Sequence, residues 1–289
     1  MERGIVMIKW NGNQYETKHF PDGTQLLKVE EDLMKNSHIE CMWQYETEEE
    51  LLTIMYLTRH FQEKGKTVSL IMPYIPNARM DRVKKDTEVF TLKYFAECIN
   101  ALNFTSVTVL DPHSNVSAAL IDRVVIQNPK EYIEAVIDEL EGKKGTQIVN
   151  RSEEILLYFP DEGAAKRYGE MFVRPYCYGM KKRRWEDGTI LGIDIADNGI
   201  KLAEKTILMV DDIIAFGGSL YYSAKRLKEL GCGRIYAFAT HVEKSILDKE
   251  RGKLLQSGLV ERIYTTDSLF LEEDERIRVI KYKKGTSGK

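Results

Sequence analysis

With 289 residues, the chain is longer than one typical core and predicts two domains of about 100–150 residues. Its 43% hydrophobic and 30% charged residues exclude a disordered or membrane-embedded chain, and a net charge of −3 argues against a nucleic-acid partner. No signal-like apolar run opens the chain and no stretch of ~20 apolar residues occurs, so the expectation is a cytoplasmic protein with no membrane partner. Cys41, Cys98, Cys177 and Cys232 are too scattered for a zinc site or a disulfide framework and read as inert thiols in a reducing compartment.

In chain order, Phe20-Pro21-Asp22-Gly23 reads as a turn. An apolar strand follows at 68–72, then a long loop at 73–90, a helix from Thr91 and a strand at 107–110. Asn128-Pro129 marks a boundary, which divides the chain into domains 1–128 and 129–289, and a helix at 131–140 opens the second. There a strand at 206–210 leads through Asp211-Asp212-Ile213-Ile214-Ala215-Phe216-Gly217-Gly218-Ser219 into a helix with Leu220, Ala224, Leu227 and Leu230 at helical spacing. A strand at 235–239 comes next, and the lysine-rich end reads as frayed. Residues 91–113 align without gaps on residues 219–241, so that Leu92 meets Leu220, Ala96 meets Ala224, Leu102 meets Leu230 and His113 meets His241. Strand, loop, helix, strand occurs twice, which predicts an α/β fold of two tandem doubly wound, mostly parallel sheets with ligands at the carboxyl ends of the strands.

The 211–219 segment is the strongest chemical signal. Asp211 and Asp212 are placed to accept hydrogen bonds from sugar hydroxyls, directly or through a metal ion. Gly217 and Gly218 let backbone N–H groups approach an anion at a helix start, and Ser219 offers a cap and a hydroxyl. Taken alone, the same residues also suit an acidic turn with a serine cap. No GxxxxGK[ST] occurs, and Gly231-x-Gly233 follows a helix instead of opening one, so neither a P-loop nor a dinucleotide fingerprint is present. Arg79 suits a polyphosphate clamp or a solvated surface position, and His113 a structural hydrogen bond or a ligand. The run Lys181-Lys182-Arg183-Arg184 suits a solvated face or the stabilisation of phosphoryl charge.

These segments, together with His19–Gly23, Pro73–Arg82, Asp111–Ser114 and Phe159–Arg167, resemble in their order the ribose-phosphate diphosphokinases, over roughly residues 17 to 270. The resemblance implies phosphoribosyltransferase-like domains and transfer of the diphosphate of ATP to the anomeric hydroxyl of ribose 5-phosphate, with Mg2+. It implies ATP-side loops in the first domain and the ribose 5-phosphate loop in the second. Arg79 and His113 would then contact ATP, with Phe20 and Asp22 reaching the adenine site of a neighbouring subunit in a homo-oligomer. His113 and Asp161 would locate magnesium, Lys182 and Arg184 would act in catalysis from a basic loop closing over ATP, and Asp211, Asp212, Phe216, Gly217, Gly218 and Ser219 would hold ribose 5-phosphate. The chain departs from the family pattern. Ala215 and Phe216 replace an Asp and a Thr, Met80 replaces a Gln, Thr24 replaces an acidic residue, and residues 270–289 show no counterpart of the family's final helix. Two rival readings are a phosphoribosyltransferase that consumes the product, and a non-catalytic nucleotide-sensing relative.

Overall fold

The computed structural model describes residues 8–144, 147–148, 155–183 and 190–284. The chain divides into two compact units, Met1–Asn128 and Pro129–Lys289, each with its own sheet and core.

In the first unit the sheet order is Asn13–Tyr15, Ile8–Trp10, His38–Trp43, Thr67–Ile71, Val107–Leu110, Val124–Gln127. The strands from His38 onward are mutually parallel, and the first two are antiparallel additions. Thr67–Ile71 is buried at every residue but the first, as a parallel strand covered on both faces must be. Helix Thr91–Ala101 buries Leu92, Phe95, Ala96 and Ile99, a continuous helical stripe, and helix Glu50–Glu63 buries Ile54, Leu57 and Phe61. Trp10 meets Phe61 edge to face at 5.2 Å between ring centroids, which locks that second helix against the sheet.

In the second unit the order is Ile190–Ala196, Tyr176–Arg183, Leu156–Phe159, Ile207–Ile214, Ile235–Val242, Arg262–Thr266, Ile277–Ile280. All neighbours are parallel except the pair formed by the first two. Helix Gly218–Glu229 buries Leu220, Ser223, Ala224 and Leu227. The Tyr158 hydroxyl donates to Ser223 Oγ at 2.7 Å, and Ser223 donates to the Ser219 carbonyl at 3.1 Å, so the helix is pinned to the neighbouring strand. In each unit the repeated residues form a helix and the parallel strand after it: Leu92 and Leu220 are both buried, as are Ala96 and Ala224. The two histidines diverge. His113 lies half-buried beyond its strand, whereas His241 is buried within its own and pairs Nδ1 with Ser268 Oγ at 2.8 Å.

The lysine-rich end departs from the frayed expectation as far as Lys284. Lys283 donates its N–H to the Tyr132 hydroxyl at 2.8 Å, and Tyr282 donates its own to Asp267. Residues 285–289 lie outside the described part. Cys41, Cys177 and Cys232 are buried and Cys98 is exposed, all unbridged; burial pushes the Cys177 thiol up to about 12, too high for reactivity. No helix among the described residues is long and apolar enough to cross a membrane.

The second unit is braced where helix Lys130–Leu140 ends. Glu141, buried, accepts from Arg174 through both oxygens, at 3.0 Å for Oε2, and from the Ile155 N–H at 3.4 Å. Arg174→Ala strands a buried carboxylate and is expected to cost about 2–4 kcal/mol, discounted from a fully buried pair because Arg174 is partly solvated. Denaturant unfolding of the variant checks this, and a loss below about 1 kcal/mol would show the pair to be ornamental.

Candidate functional site

The centre of the site is strand Ile207–Ile214. Ile207, Leu208, Met209 and Val210 are fully buried, between Leu156–Tyr158 on one side and Ile235–Phe238 on the other. The strand does not stop at Val210. It runs on through Ile214, with Asp211 opposite Ala239, Ile213 opposite His241 and Ile214 opposite Val242. Asp211 and Asp212 therefore sit inside a strand, not in the loop that follows it. Asp212 is buried and meets Arg167 Nη2 at 3.7 Å. Asp211 Oδ1 accepts the Asp212 N–H at 3.0 Å. Burial, then the Asp212 charge, hold the Asp211 carboxyl well above its usual range, and Asp161 adds to the same effect.

Residues 215–217 form a short turn into helix Gly218–Glu229. Gly217 occupies the cap position with φ 74° and ψ 16°, a left-handed conformation. A Cβ there would lie 2.6 Å from Leu254 Cβ and 3.1 Å from Ile246 Cδ1, so both backbone shape and space demand glycine. A Cβ on Gly218 would meet nothing within 4 Å. The cap expected of Ser219 is corrected: Ser219 lies one residue inside the helix and no side chain caps its start. A left-handed Gly217 brings the chain into the helix directly, so the first-turn N–H groups face outward without an acceptor side chain, the condition that suits an anion.

Asp161 follows strand Leu156–Phe159 and caps helix Glu162–Gly169, where its Oδ1 accepts the Ala164 N–H at 3.0 Å. That helix also carries Arg167, the partner of Asp212, a contact that sequence reasoning missed although Arg167 ends the quoted Phe159–Arg167 segment. The basic run is not a structureless loop up to Arg183. Lys181, Lys182 and Arg183 belong to strand Tyr176–Arg183, with Lys182 opposite Gly192 and the register shifting before Arg183. The Lys182 side chain and all of Arg184 lie outside the described residues.

The remaining candidates belong to the first unit. Arg79 is exposed in the loop after strand Thr67–Ile71, and His113 is half-buried in the loop after the neighbouring parallel strand Val107–Leu110. The Leu110 N–H donates to the Pro73 carbonyl at 3.0 Å, which ties the roots of these two loops together at the carboxyl edge of the sheet. Phe20 and Asp22 sit in the turn of the Lys18–His19/Gln25–Leu26 ribbon. Asp22 accepts from the Thr24 N–H at 3.0 Å and the Thr24 hydroxyl at 2.7 Å, which pull its carboxyl below the usual range. Thr24, the departure from an acidic residue, thus stiffens a turn that leaves Phe20 about half exposed.

No family model matches the chain. It is 25% identical over 262 residues to the ribose-phosphate pyrophosphokinase of Sulfurisphaera tokodaii, covering 88% of this chain and 84% of that protein. It is 29% identical over 241 residues to the enzyme of the same description from Pyrococcus abyssi, covering 81% and 79%. Among solved structures, phosphoribosylpyrophosphate synthetase from Mycobacterium smegmatis superimposes with a TM-score of 0.71 over 92% of this chain and 85% of that one, at 16% identity. The aligned span takes in both α/β units, so the chain has the phosphoribosylpyrophosphate synthetase fold and is a distant homologue of the ribose-phosphate pyrophosphokinase family.

Proposed function

We propose that this chain transfers the diphosphate of ATP to the anomeric hydroxyl of ribose 5-phosphate, giving 5-phosphoribosyl 1-diphosphate and AMP. One observation carries the reading. An acid pair at the end of a buried strand leads through a left-handed glycine into an uncapped helix start, in a chain homologous to ribose-phosphate pyrophosphokinases across both units. The first-turn N–H groups of residues 218–219 hold the 5-phosphate, and the Asp211 and Asp212 carboxylates accept from the sugar hydroxyls. The anomeric oxygen attacks the β-phosphorus of ATP in line, an oxygen–phosphorus bond forms, and AMP leaves with the former bridging oxygen. Lys182 and Arg184 stabilise the charge that spreads over the equatorial and bridging oxygens. The loops of the first unit bind ATP, with Arg79 as clamp. Phe20 and Asp22 complete the adenine site of a second copy in a homo-oligomer.

Magnesium fits the residues present. Asp212 and Asp161, whose charges add to burial in raising the Asp211 carboxyl, supply carboxylate oxygens of the kind a hard cation takes. Among the described residues no three acidic, histidine or cysteine side chains are grouped to hold an ion by themselves. The ion would be held by Asp161 and one of the acid pair together with the substrate phosphates, since magnesium is commonly bound by one or two carboxylates and phosphate oxygens. When bound, the ion neutralises charge on the triphosphate.

Incubation of the full chain with ATP, magnesium and ribose 5-phosphate is expected to yield AMP in proportion to the sugar phosphate consumed. Absence of ribose-dependent AMP across a range of magnesium and phosphate would sink the enzyme reading. It would leave the second one, a nucleotide-sensing relative, which Ala215 and Phe216 favour because they remove a carboxylate and a hydroxyl from the sugar loop.

A further inference from the structure

The segment that packs against the sugar-phosphate loop carries a cation that none of the motifs accounts for. The Arg251 guanidinium lies over the Phe216 ring, with its carbon 4.4 Å from the centroid. Phe216 directly precedes Gly217. Asp248 fixes the same guanidinium: its Oδ2 accepts from Nε at 3.1 Å and from Nη2 at 2.8 Å. Asp248 Oδ1 meanwhile accepts the N–H groups of Glu250 at 3.0 Å and Arg251 at 2.9 Å, so the backbone beneath the side chain is fixed too. The Gly252 N–H closes the turn on the Asp248 carbonyl at 2.8 Å, and a Cβ on Gly252 would collide with the carbonyl oxygens of Ile246 and Asp248. On either side of this turn, Ile246 and Leu254 are the residues that close on Gly217.

Arg251 is thus stacked, paired and held on a tight turn beside the uncapped helix start, yet its side chain remains 68% exposed. Among the described residues its Nη1 has no acceptor. An arginine needed only for the turn would be satisfied by Asp248. Stacking on Phe216 adds orientation and leaves one edge of the fork for an anion. Phe216 is also the position at which the family pattern places a hydroxyl.

We propose that Arg251 binds the phosphate of a pentose 5-phosphate seated at residues 217–219, and that the Phe216–Arg251 pair replaces the missing hydroxyl contact. This assignment rests on the ribose 5-phosphate reading above. Phe216 then acts as the platform that aims the guanidinium, and Arg251 as the group that touches substrate.

The test compares the full-length chain with Arg251→Ala and Arg251→Lys in AMP release, varying ribose 5-phosphate and ATP in turn, with unfolding temperatures alongside. Arg251→Ala is expected to raise KM for ribose 5-phosphate about tenfold or more while KM for ATP and the unfolding temperature hold. Arg251→Lys recovers part of the loss, because a point charge lacks the fork. An unchanged KM for ribose 5-phosphate, or equal losses for both substrates with a lowered unfolding temperature, overturns the assignment while leaving the diphosphokinase reading intact. If the unmodified chain makes no ribose-dependent AMP, that reading fails by itself. Calorimetric titration with ribose 5-phosphate and with ribose then decides Arg251: preference for the phosphorylated sugar, lost in Arg251→Ala, supports it, and no such preference or no such loss overturns it.

Discussion

Lys182→Ala is expected to lower the turnover of ribose-dependent AMP formation by roughly a thousandfold, with little change in KM for ATP. Diphosphoryl transfer asks little covalent help of the protein. The barrier is set by charge that develops on the equatorial and bridging oxygens, and an aimed cation acts on that charge more strongly in the transition state than in the ground state. An interaction made only in the transition state shows in turnover and not in binding. Lys182 lies on the antiparallel arm formed by Tyr176–Arg183 and Ile190–Ala196, opposite Gly192 and immediately before the register shift. Its neighbour Lys181 belongs to the same strand but lies outside the Lys182-x-Arg184 pair assigned to catalysis. Lys181→Ala is therefore the matched control, since it removes the same charge from the same strand and is expected to leave turnover nearly unchanged. Equal losses in the two variants would mean that the arm contributes a diffuse basic field. Unchanged turnover in Lys182→Ala would remove this residue from the catalytic assignment.

How much of this was legible in the sequence depends on the range of the forces involved. The buried runs 68–71 and 207–210 and the helical stripe of Leu92, Phe95, Ala96 and Ile99 are local patterns, and they translate directly into a parallel sheet with covering helices. The continuation of the strand through Asp211–Ile214 is not local. Two aspartates disfavour a strand, and here the pairing of residues 213 and 214 with His241 and Val242 prevails over that preference. The basic run reads as a loop for a similar reason, because its antiparallel partner lies beyond it at Ile190–Ala196. Glycine instead of Ser219 at the helix cap follows from Leu254 and Ile246 pressing on Gly217, residues far along the chain. The contacts of Arg167 with Asp212 and of Arg251 with Phe216 are tertiary as well, and no spacing rule announces them. The roles proposed for Arg79, His113 and Lys182 rest on the ordered resemblance to the family, since Arg79 and Lys182 alone suit a solvated surface and His113 alone suits a structural hydrogen bond.

Gly217→Ala and Gly218→Ala are expected to separate the two jobs of the sugar-phosphate loop. At Gly217 an alanine must adopt φ 74°, which costs about 1–2 kcal/mol, and its methyl must also displace Leu254, whose Cβ lies 2.6 Å away. Leu254 is fully buried in the core of the second unit, so relief requires the loop or the short helix Lys253–Gln256 to move, and the combined cost is about 2–4 kcal/mol. Unfolding by heat or denaturant reads this loss, and ribose 5-phosphate binding falls with it because the cradle shifts. At Gly218 the outcome is different. The backbone is helical, nothing stands within 4 Å of the new methyl, and alanine favours a helix by up to about 1 kcal/mol, so stability holds or rises slightly. The methyl instead occupies the open space in which a phosphate would meet the first-turn N–H groups, and KM for ribose 5-phosphate is expected to rise about tenfold or more while KM for ATP is retained. A Gly218→Ala protein of full stability and unchanged KM for ribose 5-phosphate would place the phosphate elsewhere, whereas the expected separation ties the anion to this helix start and the glycine before it to the fold.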